Sequence, residues 1–103
     1  MAKEEEGYSY IGSSSLPELM ELFKEKDKEG WQVFSVFTEK GVYKAAIKKV
    51  GGGYIYGWNR RESLSRLDQL IKEAGDGCQV IGKVKSIYDN TDFPYEAIFK
   101  ILR

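Results

Sequence analysis

Histidine is absent from the 103 residues, cysteine occurs once, and proline twice. Without imidazole the commonest general base and metal ligand is missing, and with it the Ser-His and Cys-His nucleophile pairs. A lone Cys78 excludes an intrachain disulfide and a thiolate zinc site. Net charge is lacking too, since 16 basic side chains balance 16 acidic ones. The whole-molecule field therefore does not draw the chain to nucleic acid or to an anionic membrane. No stretch approaches the ~18 apolar residues of a membrane span. The start, Met1 to Glu6, is charged and unlike a signal peptide. A cytoplasmic location with no membrane partner is the expectation.

What is present is a folded composition, 42% hydrophobic and 14% aromatic, in a length suited to one domain. The chain also repeats itself. Ser15-Leu16-Pro-Glu-Leu19-Met-Glu-Leu22-Phe23-Lys24-Glu25 is echoed by Ser63-Leu64-Ser-Arg-Leu67-Asp-Gln-Leu70-Ile71-Lys72-Glu73. Gly30-Trp31-Gln32-Val33-Phe34-Ser35 returns as Gly77-Cys78-Gln79-Val80-Ile81-Gly82, and Tyr43-Lys-Ala45-Ala-Ile47-Lys48 as Tyr95-Glu-Ala97-Ile-Phe99-Lys100. The pattern predicts one pseudo-symmetric domain over 1–103, with repeats at about 8–50 and 54–102 joined by a flexible linker, Gly51-Gly52-Gly53. Cys78, standing where the first copy has Trp31, reads as a buried packing residue.

Each copy reads as β-α-β-β. A short strand at Tyr8-Ser-Tyr10-Ile11 precedes a helix opened by Ser15, with Glu18 completing a capping box and Pro17 tolerated in the first turn. Leu16, Leu19, Met20, Leu22 and Phe23 recur at helical spacing, and Gly30 ends the run. Strands at 31–37 and 42–50 form a hairpin around Glu39-Lys40-Gly41. The second copy predicts strands at 54–58, 78–85 and 95–102 and a helix at 63–74, broken by Gly75-Asp76-Gly77. The fold class is α+β: duplicated units giving a mostly antiparallel six-stranded sheet with two helices on one face.

Strict alternation along such strands assigns two faces. Trp31, Val33, Ser35, Phe37, Tyr43, Ala45 and Ile47, with their counterparts, would lie under the helices. The opposite face would carry Phe34, Val36, Ala46, Ile81 and Ile98, ringed by Gln32, Lys44, Lys48, Gln79, Lys83, Glu96 and Lys100. An apolar centre left to water marks an interaction face, for a protein partner or for a second copy in a homodimer.

Other constellations carry less. The glycine run 51–53 lacks the following helix and the Gly-Lys-Ser/Thr ending of a phosphate loop. Gly12-Ser13-Ser14-Ser15 at a helix start reads as capping in preference to an anion site. Asp89, Asn90 and Asp92 read as a turn, since the glycine and distal glutamate of a calcium loop are missing. No catalytic residues, metal ligands or cofactor are expected. Tyr54, Tyr56, Trp58, Arg60 and Arg61 form the sharpest polar cluster, with aromatic faces next to guanidinium groups. Those residue types stack bases and neutralise phosphates in single-strand binders, giving an alternative function as a nucleotide or single-stranded nucleic-acid binder.

The segment Gly30-Trp31-Gln32-Val33-Phe34-Ser35-Val36, after an amphipathic helix and before Tyr43-Lys-Ala-Ala-Ile-Lys-Lys49, resembles a family of small bacterial and phage domains of unknown function. That resemblance covers about 8–50 and more weakly 54–102, where Cys78 replaces the signature tryptophan. It implies a β-α-β-β fold and no activity; the small size and kind of the domain are those of phage or regulatory accessory proteins. The order also resembles the flavin-binding dodecins in outline; their flavin site maps to no fixed position here. The expected function is therefore a non-enzymatic interaction module.

Overall fold

A computed structural model describes residues 7–75, 77–87 and 92–103. The element order is β1 (Tyr8–Ser13), α1 (Leu16–Lys28), β2 (Gln32–Glu39), β3 (Val42–Lys48), β4 (Tyr54–Arg61), α2 (Leu64–Ala74), β5 (Cys78–Lys85) and β6 (Tyr95–Leu102). The α+β class and the strand-helix-strand-strand order follow the expectation. The turn read at Asp89, Asn90 and Asp92 lies largely outside the described residues, as does Asp76 in the predicted helix break.

Local signals set the helices. Ser15 and Ser63 both hold extended backbone, and their hydroxyls accept from the N–H groups of Glu18 and Arg66. Each thereby satisfies one of the free donors of a first turn. The Glu18 carboxylate does not close the expected box; it accepts instead from the Ser13 hydroxyl at 2.8 Å. The Gly12–Ser15 segment is thus a cap. Leu16, Leu19 and Phe23 on α1 and Leu67 on α2 are fully buried, as their spacing predicts.

The strands do not form one six-stranded layer. They make two three-stranded antiparallel sheets, β1-β3-β2 and β4-β6-β5, each with its hairpin partner in the centre. A register shift lies between Val33 and Ser35 in β2, and another between Val80 and Gly82 in β5. Each inserts one unpaired residue, Phe34 or Ile81, so two residues oppose one and the alternation changes phase. Val33 and Val36 therefore point the same way, into the core, while Phe34 and Ser35 are exposed. This overturns the face assignment made from strict alternation.

The sheets stack where β2 and β5 approach each other. A single helix, about 10 Å across, does not cover the full width of a three-stranded sheet with its side chains. Alongside α1, the remaining inner surface of the first sheet, including Val33, Val36 and Tyr43, is covered by the second sheet. One cluster accordingly joins Leu16, Leu19, Phe23, Val33, Val36, Tyr43, Ala45 and Ile47 to Ile81 and Ile98, with Tyr56, Trp58 and Val84 packed against it. The far side of the second sheet holds a smaller cluster of Leu67, Ala97 and Phe99, with Cys78 half-buried at its edge. Strand β6 is therefore buried on both faces along most of its length.

The glycine linker is not a loose joint. Asp27, buried at the end of α1, accepts from the Gly53 and Tyr54 N–H groups at 3.0 and 3.1 Å and pairs with Arg103 at 3.3 Å. A Cβ at Gly52 would collide with the Asp27 carbonyl oxygen. Gly52 has no room for a side chain against the helix end, while Gly51 and Gly53 adopt positive φ, which glycine alone takes without strain.

Candidate interaction face

Among the described residues, no helix lies on the outer face of the first sheet. Register places Tyr8 opposite Lys48, Tyr10 opposite Ala46 and Gly12 opposite Lys44 on β1 and β3. On the other side of β3, Ser35 pairs with Ala46 and Phe37 with Lys44. Directly opposed residues share a face, so two tyrosines, Phe37 and the bulged Phe34 surround the small Ala46 between two lysines. Tyr10 is 70% exposed, and Tyr8 and Phe34 are also open to solvent. A shallow hollow of about 530 Å3 lies between Tyr10, Gly12, Phe37, Glu39 and Lys44. A smaller one of about 260 Å3 is bounded by Tyr8, Phe34, Ala46 and Lys48. Lys48 lies over the Tyr8 ring at 5.1 Å, and Lys44 pairs with Glu39 at 2.7 Å. The surface is flat, aromatic and close to neutral.

Of the residues expected on the open face, Phe34 and Ala46 are there. Val36, Ile81 and Ile98 are not: all three are buried between the sheets. The bulges turned Val36 inward, and the second sheet stacked its equivalent face onto the first half of the chain. Glu96 and Lys100, expected on a polar rim, lie in the same buried layer. Tyr8, Tyr10 and Phe37 were missed as face residues; the aromatic alternation of Tyr8-Ser-Tyr10 was the available signal.

Most of the buried polar groups between the sheets are hydrogen-bonded; Arg60 Nε and Glu96 Oε2 are not, and there the charges meet only as an ion pair. The Tyr43 hydroxyl donates to Glu96 Oε1 at 2.6 Å, and Arg60 Nη2 lies 3.2 Å from Glu96 Oε2. The Lys100 ammonium donates to Gln32 Oε1 at 2.6 Å and to the Val33 carbonyl at 2.9 Å, with the Phe34 ring 4.2 Å away. Tyr56 accepts at its hydroxyl from the Val33 N–H at 3.0 Å and packs edge-on against Phe23. Val33, at the bulge, is thus held through both its N–H and its C=O by side chains of the second sheet.

These contacts engage part of the cluster expected to stack bases, whose five side chains are all half-buried. Tyr54, Tyr56, Trp58 and Arg60 alternate onto the buried side of β4, whereas Arg61 lies on the other side. The Arg60 guanidinium sits on the Trp58 ring at 4.6 Å and faces Glu96. Arg61 donates to Asn59 Oδ1 and the Arg60 carbonyl. Tyr56 and Trp58 pack against the core, Tyr54 and Tyr56 line an open hollow of about 320 Å3 with Met20, Lys24 and Arg103, and both arginines have intramolecular partners. Burial, aided by Glu96, holds the Tyr43 phenol well above its ordinary range, and burial likewise raises Tyr56. It pushes the Lys100 ammonium down and the Cys78 thiol up.

An alkaline titration reads this layer directly. Below pH 10.0 both tyrosines keep their protons whether folded or not. Above it the unfolded chain releases protons that the folded chain retains, so stability falls as pH rises. Lys100 acts oppositely, its contribution rising with pH up to 10.5. Urea midpoints compared at about pH 9 and about pH 11 should show a smaller alkaline loss for Tyr43→Phe than for the parent. An equal loss in the two proteins would contradict the assignment.

Among the described residues, no group of three or more histidine, cysteine, aspartate or glutamate side chains is placed to hold a metal ion. No described helix is long and apolar enough to cross a membrane. No family model matches the chain, and no curated protein or solved structure matches it either.

Proposed function

We propose that the protein is a non-enzymatic interaction module that binds protein, in the first place a second copy of itself, through the outer face of its first sheet. One observation carries this reading. The corresponding face of the second sheet, with Ile81, Ile98, Glu96 and Lys100, is covered within the chain, while among the described residues that of the first sheet keeps Tyr8, Tyr10 and Phe34 exposed. Leaving Tyr8, Tyr10 and Phe34 in water forgoes stabilisation of about 25 cal/mol for each Å2 that a partner would cover. The repeated strand order, paired bulges and paired serine caps support an origin by duplication. The absence of histidine supports a role in binding, not catalysis.

Sedimentation over a concentration series tests the proposal. The parent protein is expected to exceed its monomer mass of 11.8 kDa as concentration rises. The double variant Tyr8→Ser/Tyr10→Ser, altered only at solvent-exposed rings, is expected to remain monomeric. Equal behaviour of the two would remove this face as the binding surface. Tight binding of a short single-stranded oligonucleotide by the parent, lost in the same variant, would replace protein with nucleic acid as its partner.

A further inference from the structure

The halves of the chain show matching surfaces in opposite states of burial. Val33, on the helix-bearing side of the first sheet, is 0% exposed, whereas Val80, at the same place beside its bulge, is 38% exposed. On the other side the order reverses: Phe34 is 47% exposed and its counterpart Ile81 is 9%. Tyr43 and Tyr95, and Ala46 and Ile98, follow the same two trends. The bare sheet side of the second half is therefore laid on the helix-bearing side of the first. Face-to-back stacking leaves one copy of each surface unused, at opposite ends of the molecule.

We infer that a second copy of the chain continues this stack, seating the helix-bearing side of its second half on the outer sheet face of the first copy. The inference rests on the self-association reading above and names the surface that answers the open face. The internal contact supplies the template. There Tyr56 and Lys100, cross-strand neighbours, grip the N–H and C=O of Val33, while Gln32 accepts from Lys100. The open face keeps the same pair, Tyr8 opposite Lys48. The opposite end keeps the receiving set, Gln79 and Val80 beside the bulge of β5 and Tyr95 on β6.

The receiving end is also apolar where a partner would sit. Ile55 and Cys78 both pair with Ile101, so the three share one side of the sheet, and Ile55, Ile101 and Val80 are exposed beside α2. Two substitutions make the contact between copies wider than the internal one. Ser35 stands where Gly82 allows β5 to touch β2, and Lys83 stands where Val36 receives it. The association is consequently weaker than the internal packing and reversible. Because the two surfaces differ, the contact is heterologous, and it extends or closes into a ring instead of stopping at a two-fold dimer.

Complementation of single-surface variants separates the possibilities. Tyr10→Arg blocks the open face and Val80→Arg blocks the receiving end; Ile101→Arg provides a second variant there should Val80→Arg fail to fold by circular dichroism. Each variant alone is expected to sediment as a monomer at concentrations where the parent associates. Their mixture is expected to form a dimer and nothing larger, since one intact surface of each kind remains. If the Val80→Arg and Ile101→Arg proteins associate like the parent while Tyr10→Arg does not, the stacking inference fails and the open face pairs with itself. If the parent is monomeric throughout, both this inference and self-association fall.

Discussion

Replacing Gly82 with valine is expected to be among the most damaging single changes in the chain. A Cβ at this position would lie 2.7 Å from the Val36 carbonyl oxygen and 2.8 Å from the Val36 Cβ. The crowding atoms belong to the backbone and the first side-chain carbon of a strand whose partner, β3, fixes its place. Neither yields by rotation of a flexible end. Overpacking of a fixed core typically costs 1–3 kcal/mol, and a branched side chain belongs at the top of that range, about 3 kcal/mol. At roughly 4–8 °C per kcal/mol for a domain near this size, the melting temperature should fall by more than about 12 °C. Gly82→Ala should fall about half as far. A valine variant melting with the parent would mean that β2 and β5 do not meet as described. Ser35 offers an internal control, because Ser35→Val alters the matching position on the open face and should cost little.

Removal of the Glu96 carboxylate should be comparably severe. Glu96 is fully buried and serves both the Tyr43 hydroxyl and the Arg60 guanidinium. Glu96→Ala strands a buried phenol without its acceptor and leaves a cavity between the sheets. It also leaves Arg60 without its carboxylate. Breaking a fully buried ion pair by deleting one partner costs 3–5 kcal/mol. Arg60 keeps about a third of its side chain in water, so about 3 kcal/mol is the expected loss in denaturant unfolding. Glu96→Gln retains an acceptor for Tyr43 and should recover part of it. If the Tyr43→Phe/Glu96→Ala double variant is as destabilised as the sum of its single variants, the two side chains are not coupled.

The helices were legible in the sequence because their determinants are local. A serine before each apolar run supplied the cap, and Leu16, Leu19 and Phe23 marked the buried stripe. The hairpin turn at Lys40-Gly41 was equally plain, and both residues adopt positive φ. The strand faces were not. Phe34 and Ile81 look like ordinary β residues, and nothing beside them announces an unpaired position. Once each is extruded, every later residue of its strand changes side relative to a strictly alternating pattern. That single local event moved Val36 from the expected interaction face into the core. Glu96 and Lys100 were misplaced for another reason: charged side chains are rarely fully buried, and their partners, Tyr43, Arg60, Gln32 and Val33, are mostly remote in sequence.

The amino-acid order by itself determined the class of fold, the succession of elements, the caps and the echo between the halves, since these depend on neighbours a few positions apart. Only the tertiary structure decided that the sheets stack instead of joining edge to edge, and which surface was left bare. That choice turns on Gly82 meeting Val36 and on how much of the first sheet α1 leaves uncovered. It is set by the fit between distant segments, which no short stretch of sequence contains.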